Sequence, residues 1–233
     1  MRAALVVFAS ILVLAARPIP LSAQQYAGPS TRFIGFSPVR PPGNNLDFRK
    51  ALCFAVDREK VATSVAGLIA RAQSAYSIQH PDLVGHDPSF RPCSYDPAKA
   101  RQFFARSNEV GVALLVGPNP SPAAQKFNDA VAENIQNSLG TSVVIRPVDT
   151  RARSLFEQEV RGEVSVYISS WTSDGRDFGH PSMALSLAER FMAFDPELKA
   201  MVDKALPTKD GREVERYLVE VKTYMVPILF YIR

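Results

Sequence analysis

The stretch DFRKALCFAVDREKV, residues 47–61, decides how the chain is read. Ala51, Leu52 and Ala55, then Ala62 and Val65, recur at helical spacing. That spacing predicts an amphipathic helix with one buried stripe. Asn45 or Asp47 can cap its start, because a side-chain oxygen there accepts from backbone N–H groups the helix leaves unpaired. Gly67 interrupts or stops the pattern. Before the helix, residues 24–45 form a Pro- and Gly-rich opening segment with one strand candidate, RFIGFSPV. After it, residues 72–95 carry little periodicity and read as a long loop.

Order resumes at DPAKARQFFARS. Asp96 is a helix cap and Pro97 takes the first helical position, where a missing N–H costs nothing. Ala100, Phe103 and Phe104 face inward at i, i+3, i+4. VALLV (112–116) is a continuous apolar run and predicts a strand buried on both faces. Ser121 and Pro122 open a helix with Phe127, Val131, Ile135 and Leu139 in one row, closed by Gly140. SVVIRPV (142–148) predicts a strand. TRARSLFEQEVRG predicts a helix with Ala152, Leu155, Phe156 and Val160 on one face. VSVYISSW (164–171) predicts a strand in which Val164, Val166 and Ile168 alternate with Ser165, Tyr167 and Ser169. The succession β-α-β-α-β predicts an α/β fold with parallel pairing. Short helices follow over about 181–225, then a last apolar segment, YMVPILFYIR, containing Pro227.

The N-terminus has another character. MRAALVVFASILVLAARPIPLSAQQ places Arg2 before an apolar run from Ala3 to Ala16, then a Pro-broken stretch of small residues. That order predicts a secretory signal peptide over 1–23, cleaved after Ala23, and hence a periplasmic protein. The alternative is an uncleaved N-terminal anchor, although the run is short of the ~20 residues that span a bilayer. Export changes the meaning of Cys53 and Cys93. An even count in an oxidising compartment favours a disulfide, and two separately buried thiols are the alternative. The composition, 46% hydrophobic and 21% charged, is globular. A formal charge of +4, with Lys and Arg scattered among acids, excludes nucleic acid as the expected partner.

Catalytic signatures are absent. The sequence has no G-x-S-x-G, no phosphate-cradling glycine loop and no H-E-x-x-H. No cofactor is indicated. His80 and His86, with Asp87, could hold a metal such as nickel, but loop histidines facing water are the commoner case, and no metal ligand is assigned. The stretch SSWTSDGRDFGHPS (169–182) stands out. A strand ends at the only Trp of the chain and a loop rich in Asp and Gly follows. Ligands in α/β sheets bind beyond the carboxyl ends of strands. Trp171, Asp174 and Asp177 together suit a ligand ammonium, through cation–π contact and charge-assisted hydrogen bonds. The alternative is an ordinary turn, with Trp171 capping the core.

The order of these motifs resembles the family 5 extracellular solute-binding proteins, receptors of ABC importers for peptides, dipeptides and nickel. Arg49, Ala51, Leu52, Ala55, Asp57, Arg58 and Glu59 match its R-x-A-L-x-x-A-I-D-R-E helix. Tyr95, Asp96, Pro97, Lys99 and Ala100 match its Y-D-P-x-K-A helix. SSWTSDGRD stands where members carry G-W-x-x-D-x-x-D-P, with Phe178 in place of the Pro, and VPILFYI is similar to a late P-I-L-P-L-Y strand. The resemblance covers about residues 32–232. It implies an α/β fold, a single lobe of a type II-like periplasmic binding protein with a mixed sheet flanked by helices, over 46–233. In the family the opening helix comes after a complete first lobe, so the chain is expected to be a second lobe alone, offering half a cleft. The resemblance implies non-covalent capture of peptides or similar small solutes and delivery to ABC permease subunits, with no catalysis. It puts Trp171, Asp174 and Asp177 on the ligand side, with Asp177 pairing a peptide's α-ammonium, and leaves room for a separate first lobe as partner. A degenerate fragment that binds nothing is the rival expectation.

Overall fold

Backbone N–H groups of Asp47 and Phe48 donate to the Asn45 side chain at 3.0 and 3.3 Å, and the chain enters helix α1, Leu46–Ala55. A computed structural model describes this and the rest of residues 28–83, 85–173 and 182–232. Residues 1–23, expected to be a leader, lie outside the described residues, as do Asp174 and Asp177.

The expected single helix is two. Val56 and Asp57 are extended, and Asp57 caps a second helix, α2 (Arg58–Val65), by accepting from Lys60 N–H at 3.1 Å. The apolar stripe continues across the break, which is why periodicity alone does not reveal it. The helices α3 (Pro97–Ser107) and α4 (Pro122–Leu139) start as expected, with Asp96 and Ser121 as caps and Pro in the first turn. Gly140 closes α4 in the left-handed region at φ 67°. The helix expected over 150–162 is shorter. Ser154 and Glu157 form a reciprocal capping box, so α5 covers only Leu155–Val160 and Ala152 precedes it. The C-terminal third holds α6 (Met183–Ala188), α7 (Pro196–Ala205), α8 (Arg212–Arg216) and a π-helical turn, Tyr217–Val221.

The strands are β1 (Pro29–Phe36), β2 (Gln73–Ser74), β3 (Val112–Val116), β4 (Val143–Pro147), β5 (Val166–Thr172) and β6 (Met225–Ile232). They form one mixed sheet in the order β2-β6-β1-β5-β3-β4. β3 pairs parallel with β4 and β5, whereas β1 runs antiparallel to both neighbours, β5 and β6. The Pro-rich opening segment therefore contributes a central strand. Pro227 is tolerated inside β6 because the ladder with β1 shifts register there, between Arg32 and Phe33. Ile228 and Leu229 consequently both face the same core.

Helices cover both faces. On one, α1 to α4 pack against Ile34, Phe36, Leu114, Val166 and Val226. On the other, α6 to α8 pack against Phe33, Tyr167 and Met225. The alternation of Phe33 and Ile34 between these cores is the strand period made visible. The second layer does not reach all of β3. Ala113 is exposed and Leu115 half-buried, so VALLV is not buried on both faces as its apolar run suggests.

Cys53 and Cys93 are bonded, with Cα atoms 5.5 Å apart, which ties α1 to the loop before α3. Beside the bridge lies Arg58, fully buried. Its Nε donates to Pro227 C=O at 2.7 Å and its Nη1 to Cys93 C=O at 3.0 Å, and its guanidinium lies 4.8 Å over the Tyr76 ring. Burial lowers its pKa to about 10. Arg49 is buried likewise, donating to Gly43 C=O at 2.9 Å over the Tyr224 ring. The 72–95 loop is pinned by Glu215, which accepts from Ser77 Oγ, Ile78 N–H and Gln79 N–H.

Candidate functional site

The parallel strands β3, β4 and β5 all run toward one edge of the sheet, ending at Val116, Pro147 and Thr172. β1 starts and β6 ends at the same edge, where Pro29 pairs with Ile232. Ser173 N–H donates to Pro29 C=O at 2.9 Å, and Ser30 Oγ to Thr172 Oγ1 at 2.7 Å, which fastens this edge. The open ends of a sheet expose backbone and side chains that no neighbouring strand consumes, which makes the edge the natural seat for a ligand.

Trp171 lies on β5 opposite Thr31 and is half-buried. Its ring packs on the second core and carries the Arg190 guanidinium 4.4 Å above it. Its Nε1–H is buried and has no hydrogen-bond partner among the described residues. Trp171 thus closes a core from a position one residue before the end of β5. Beneath it, Tyr167 donates its hydroxyl to Glu159 at 2.8 Å. Burial raises the Glu159 carboxyl to about 8, against the opposing influence of that hydrogen bond and of Arg190. Burial lowers Arg190 in turn, opposed by Tyr167 and Glu159.

A cavity of about 240 Å³ opens where β3 ends, between Ile168–Ser170 of β5 and the start of α4. Arg32, Asn128, Ser169 and Ser170 supply its polar lining. Arg32, opposite Ser170 on β5, lies 5.0 Å over the Phe127 ring and 5.4 Å over that of Tyr231. Arg32 is not among the residues singled out by sequence. The available signal was a lone charge within an otherwise uncharged strand, PSTRFIGF. Arg190 was missed for a plainer reason: a charge in a helical stretch reads as a solvated surface residue.

His80 and His86 have local tasks. His80 is buried, its Nδ1 accepts from Asp82 N–H at 3.1 Å, and burial lowers its pKa against the pull of Asp82. His86 donates through Nδ1 to Gln79 C=O at 2.8 Å. Both rings meet Phe230 edge-on. Among the described residues no cluster of three or more His, Cys, Asp or Glu could hold a metal ion. Two larger hollows, of about 600 and 660 Å³, lie elsewhere, one lined by Glu59, Tyr76 and Phe90, the other by residues of α7 and α8. No residue at the ends of β3 or β5 lines either of them.

A mixed sheet with helices on both faces and one open edge of strand ends is the architecture of a single periplasmic-binding-protein lobe. Residues 7–189 match the family described as bacterial extracellular solute-binding proteins, family 5 Middle, and the chain belongs to that family. The match begins inside the stretch that reads as a leader. The probable ABC transporter periplasmic-binding protein SapA of Escherichia coli K12 is 26% identical over 202 residues, 82% of this chain and 36% of that protein. The chain therefore spans about a third of the length of this curated relative. Among solved structures, the MppA periplasmic murein tripeptide binding protein, in its unliganded open form, has a TM-score of 0.71 at 18% identity over 89% of this chain and 43% of that one. A peptide-binding protein of a peptide ABC transporter has a TM-score of 0.66 at 18% identity over 87% of this chain and 99% of that chain. No described helix is long and apolar enough to cross a membrane.

Proposed function

We propose that this chain is a solute-binding lobe of an ABC importer receptor, which captures short peptides or similar small solutes at the edge where β3, β4 and β5 end. The observation that carries the proposal is the reach of β5, which carries Trp171 three residues beyond the level at which β3 and β4 end. Trp171, whose ring carries Arg190, borders the loop that supplies the carboxylates of Asp174 and Asp177 for a ligand ammonium. Capture is non-covalent and catalysis plays no part. The solute passes to ABC permease subunits. Binding is tightest when a first lobe, on this chain or a separate one, closes over the edge and excludes water. Residues 1–23 act as the export leader, which puts the protein in the periplasm, and residues 24–45 are the opening segment that contributes β1 to the lobe of residues 46–233.

The test is a thermal melt of the oxidised protein with and without a pool of di- to pentapeptides. A ligand that prefers the native state raises the melting temperature by mass action. A cooperative melt raised by the pool supports the proposal, a cooperative melt that stays put refutes peptide capture by this lobe, and a melt without cooperativity supports the degenerate fragment. Mass spectrometry of the exported chain checks the leader: a mature N-terminus near Gln24 is expected, and a retained Met1 overturns it.

A further inference from the structure

We infer that Glu159 is a proton-operated positioning residue for Trp171: a proton on its carboxyl leaves the Arg190 guanidinium over the indole, and loss of that proton draws the guanidinium off the ring toward Glu159. Four side chains carry the inference. Tyr167 and Trp171 stand four residues apart on β5 and turn to the same core. Arg190, two residues past α6, lies 4.4 Å over the Trp171 ring. Glu159, on α5, accepts from the Tyr167 hydroxyl through Oε2 at 2.8 Å.

The two carboxyl oxygens of Glu159 are not alike. Oε2 has the Tyr167 donor, whereas Oε1 is buried with no hydrogen-bond partner among the described residues. The residue is 1% exposed. A carboxylate so placed carries a large desolvation cost, so the group keeps its proton through neutral pH. Burial accordingly raises it to about 8. Few charged groups face it. β5 presents Tyr167, whose own ionisation burial and Glu159 push well up. β1 presents Gly35 and Phe33, both against the Tyr167 ring. Glu157, Arg161 and Glu163, its charged neighbours along the chain, are exposed. Ser37 donates only to the Glu159 backbone carbonyl. Among the described residues, Arg190 is the cation placed to answer a negative charge on Glu159.

One guanidinium therefore serves two neighbours. Over the indole it gains from the negative face of the ring. Toward Glu159 it gains from a full charge, but only once the proton has gone. The two groups already act on each other: Arg190 draws the carboxyl down and Glu159 draws Arg190 up, each against burial. At low dielectric, attraction between two charges exceeds that between a charge and a ring quadrupole, so ionisation decides which neighbour prevails. The indole face is covered below about pH 8 and bared above it. That adds to the proposed capture site an aromatic face that opens only when Glu159 ionises, while the movement itself needs no solute.

Trp171 is the only tryptophan of the chain, so its emission reports this ring alone. The test is acrylamide quenching of that emission in the full chain, without solute, over about two pH units either side of the Glu159 value, with a melt at each pH to confirm folding. Quenching in wild type is expected to rise with pH in a single one-proton step centred near pH 8. Glu159→Gln keeps the shape of the protonated carboxyl, so its quenching should stay at the low-pH level throughout. Arg190→Gln should also lose the step, with the ring bare at every pH, while its stability still falls as pH rises because Glu159 still titrates. Tyr167→Phe removes a hydrogen bond that favours the charged form, so the step should move to higher pH. Wild-type quenching that is flat with pH overturns the inference, as does a step that survives in Glu159→Gln or in Arg190→Gln. Should either variant fail to fold, Tyr167→Phe decides: a step displaced upward upholds the inference, and an unmoved one overturns it. Peptide binding enters none of these readings, so solute capture and the proton-operated ring stand or fall separately.

Discussion

Removing the Cys53–Cys93 bridge should cost the protein about 4 kcal/mol. The bridge spans 40 residues of sequence. Closing a loop of that length in the unfolded chain removes about 13 cal/mol/K of entropy, or about 4 kcal/mol at 25 °C. At about 2–4 °C per kcal/mol for a domain of this size, the melting temperature should fall by about 8–16 °C. The paired variant Cys53→Ala, Cys93→Ala is the cleaner perturbation, because reductant must first reach a bridge whose Cys53 is fully buried. Arg58 moderates the loss. Its Nη1 already joins the two flanks, donating to Cys53 C=O at 3.4 Å and Cys93 C=O at 3.0 Å, and that link survives the substitution. Urea unfolding of oxidised wild type and variant is the assay. The slope against urea should rise in the variant, since an uncrosslinked unfolded chain exposes more surface. A loss below about 1 kcal/mol, with an unchanged slope, would refute the loop-entropy reasoning and assign the bridge a redox role instead of a structural one.

Arg58→Leu should destabilise the fold by about 3–5 kcal/mol, because the buried carbonyls of Pro227 and Cys93 lose their donor; a denaturation midpoint close to wild type contradicts this. Glu159 should make stability fall as pH rises. Its folded value, about 8, lies above its unfolded value of 4.5, so its contribution is complete below about pH 4.5 and is lost as pH climbs through about 8. The slope between is at most about 1.4 kcal/mol per pH unit. Glu159→Gln should flatten that slope, leaving the part owed to Glu215, which burial raises in the same direction; identical slopes in the two proteins would remove Glu159 as the cause. Gly35→Ala should cost about 1–3 kcal/mol, because the new Cβ falls 2.8 Å from Cε1 of Tyr167 and pushes that ring off its hydrogen bond to Glu159; a melt equal to wild type counts against the close packing.

The elements that proved legible in the sequence are those whose ends carry their own chemistry. Asn45, Asp96 and Ser121 cap helices by side-chain hydrogen bonds to residues two or three further on, and such caps are local. β1, β3, β4, β5 and β6 could be anticipated because their apolar runs are short and bounded by Pro, Gly or polar residues. The break at Asp57 escaped notice because the buried stripe is continuous through it. α5 came out short because Ser154 and Glu157 outcompete the weaker pattern before them. The exposure of Ala113 depends on how far a helical layer from the other end of the chain extends, which no local window contains. Of the candidate site, Trp171 was legible because a lone aromatic at a strand end is conspicuous. Arg32 was not, because only the tertiary fold shows that its charge meets no acid among the described residues.

The residues that carry the family resemblance turn out to hold the fold together. Arg49 donates to the Gly43 carbonyl, Asp57 caps α2, Arg58 bridges α1, β6 and the Cys93 loop, and Asp96 caps α3. None of these four lines the cavity at the strand ends. A signature made of such groups reports the scaffold, because a buried guanidinium that satisfies several carbonyls at once has no equivalent substitute. Membership of the family therefore fixes the lobe, because the groups that carry the resemblance are the ones that join its helices to its sheet.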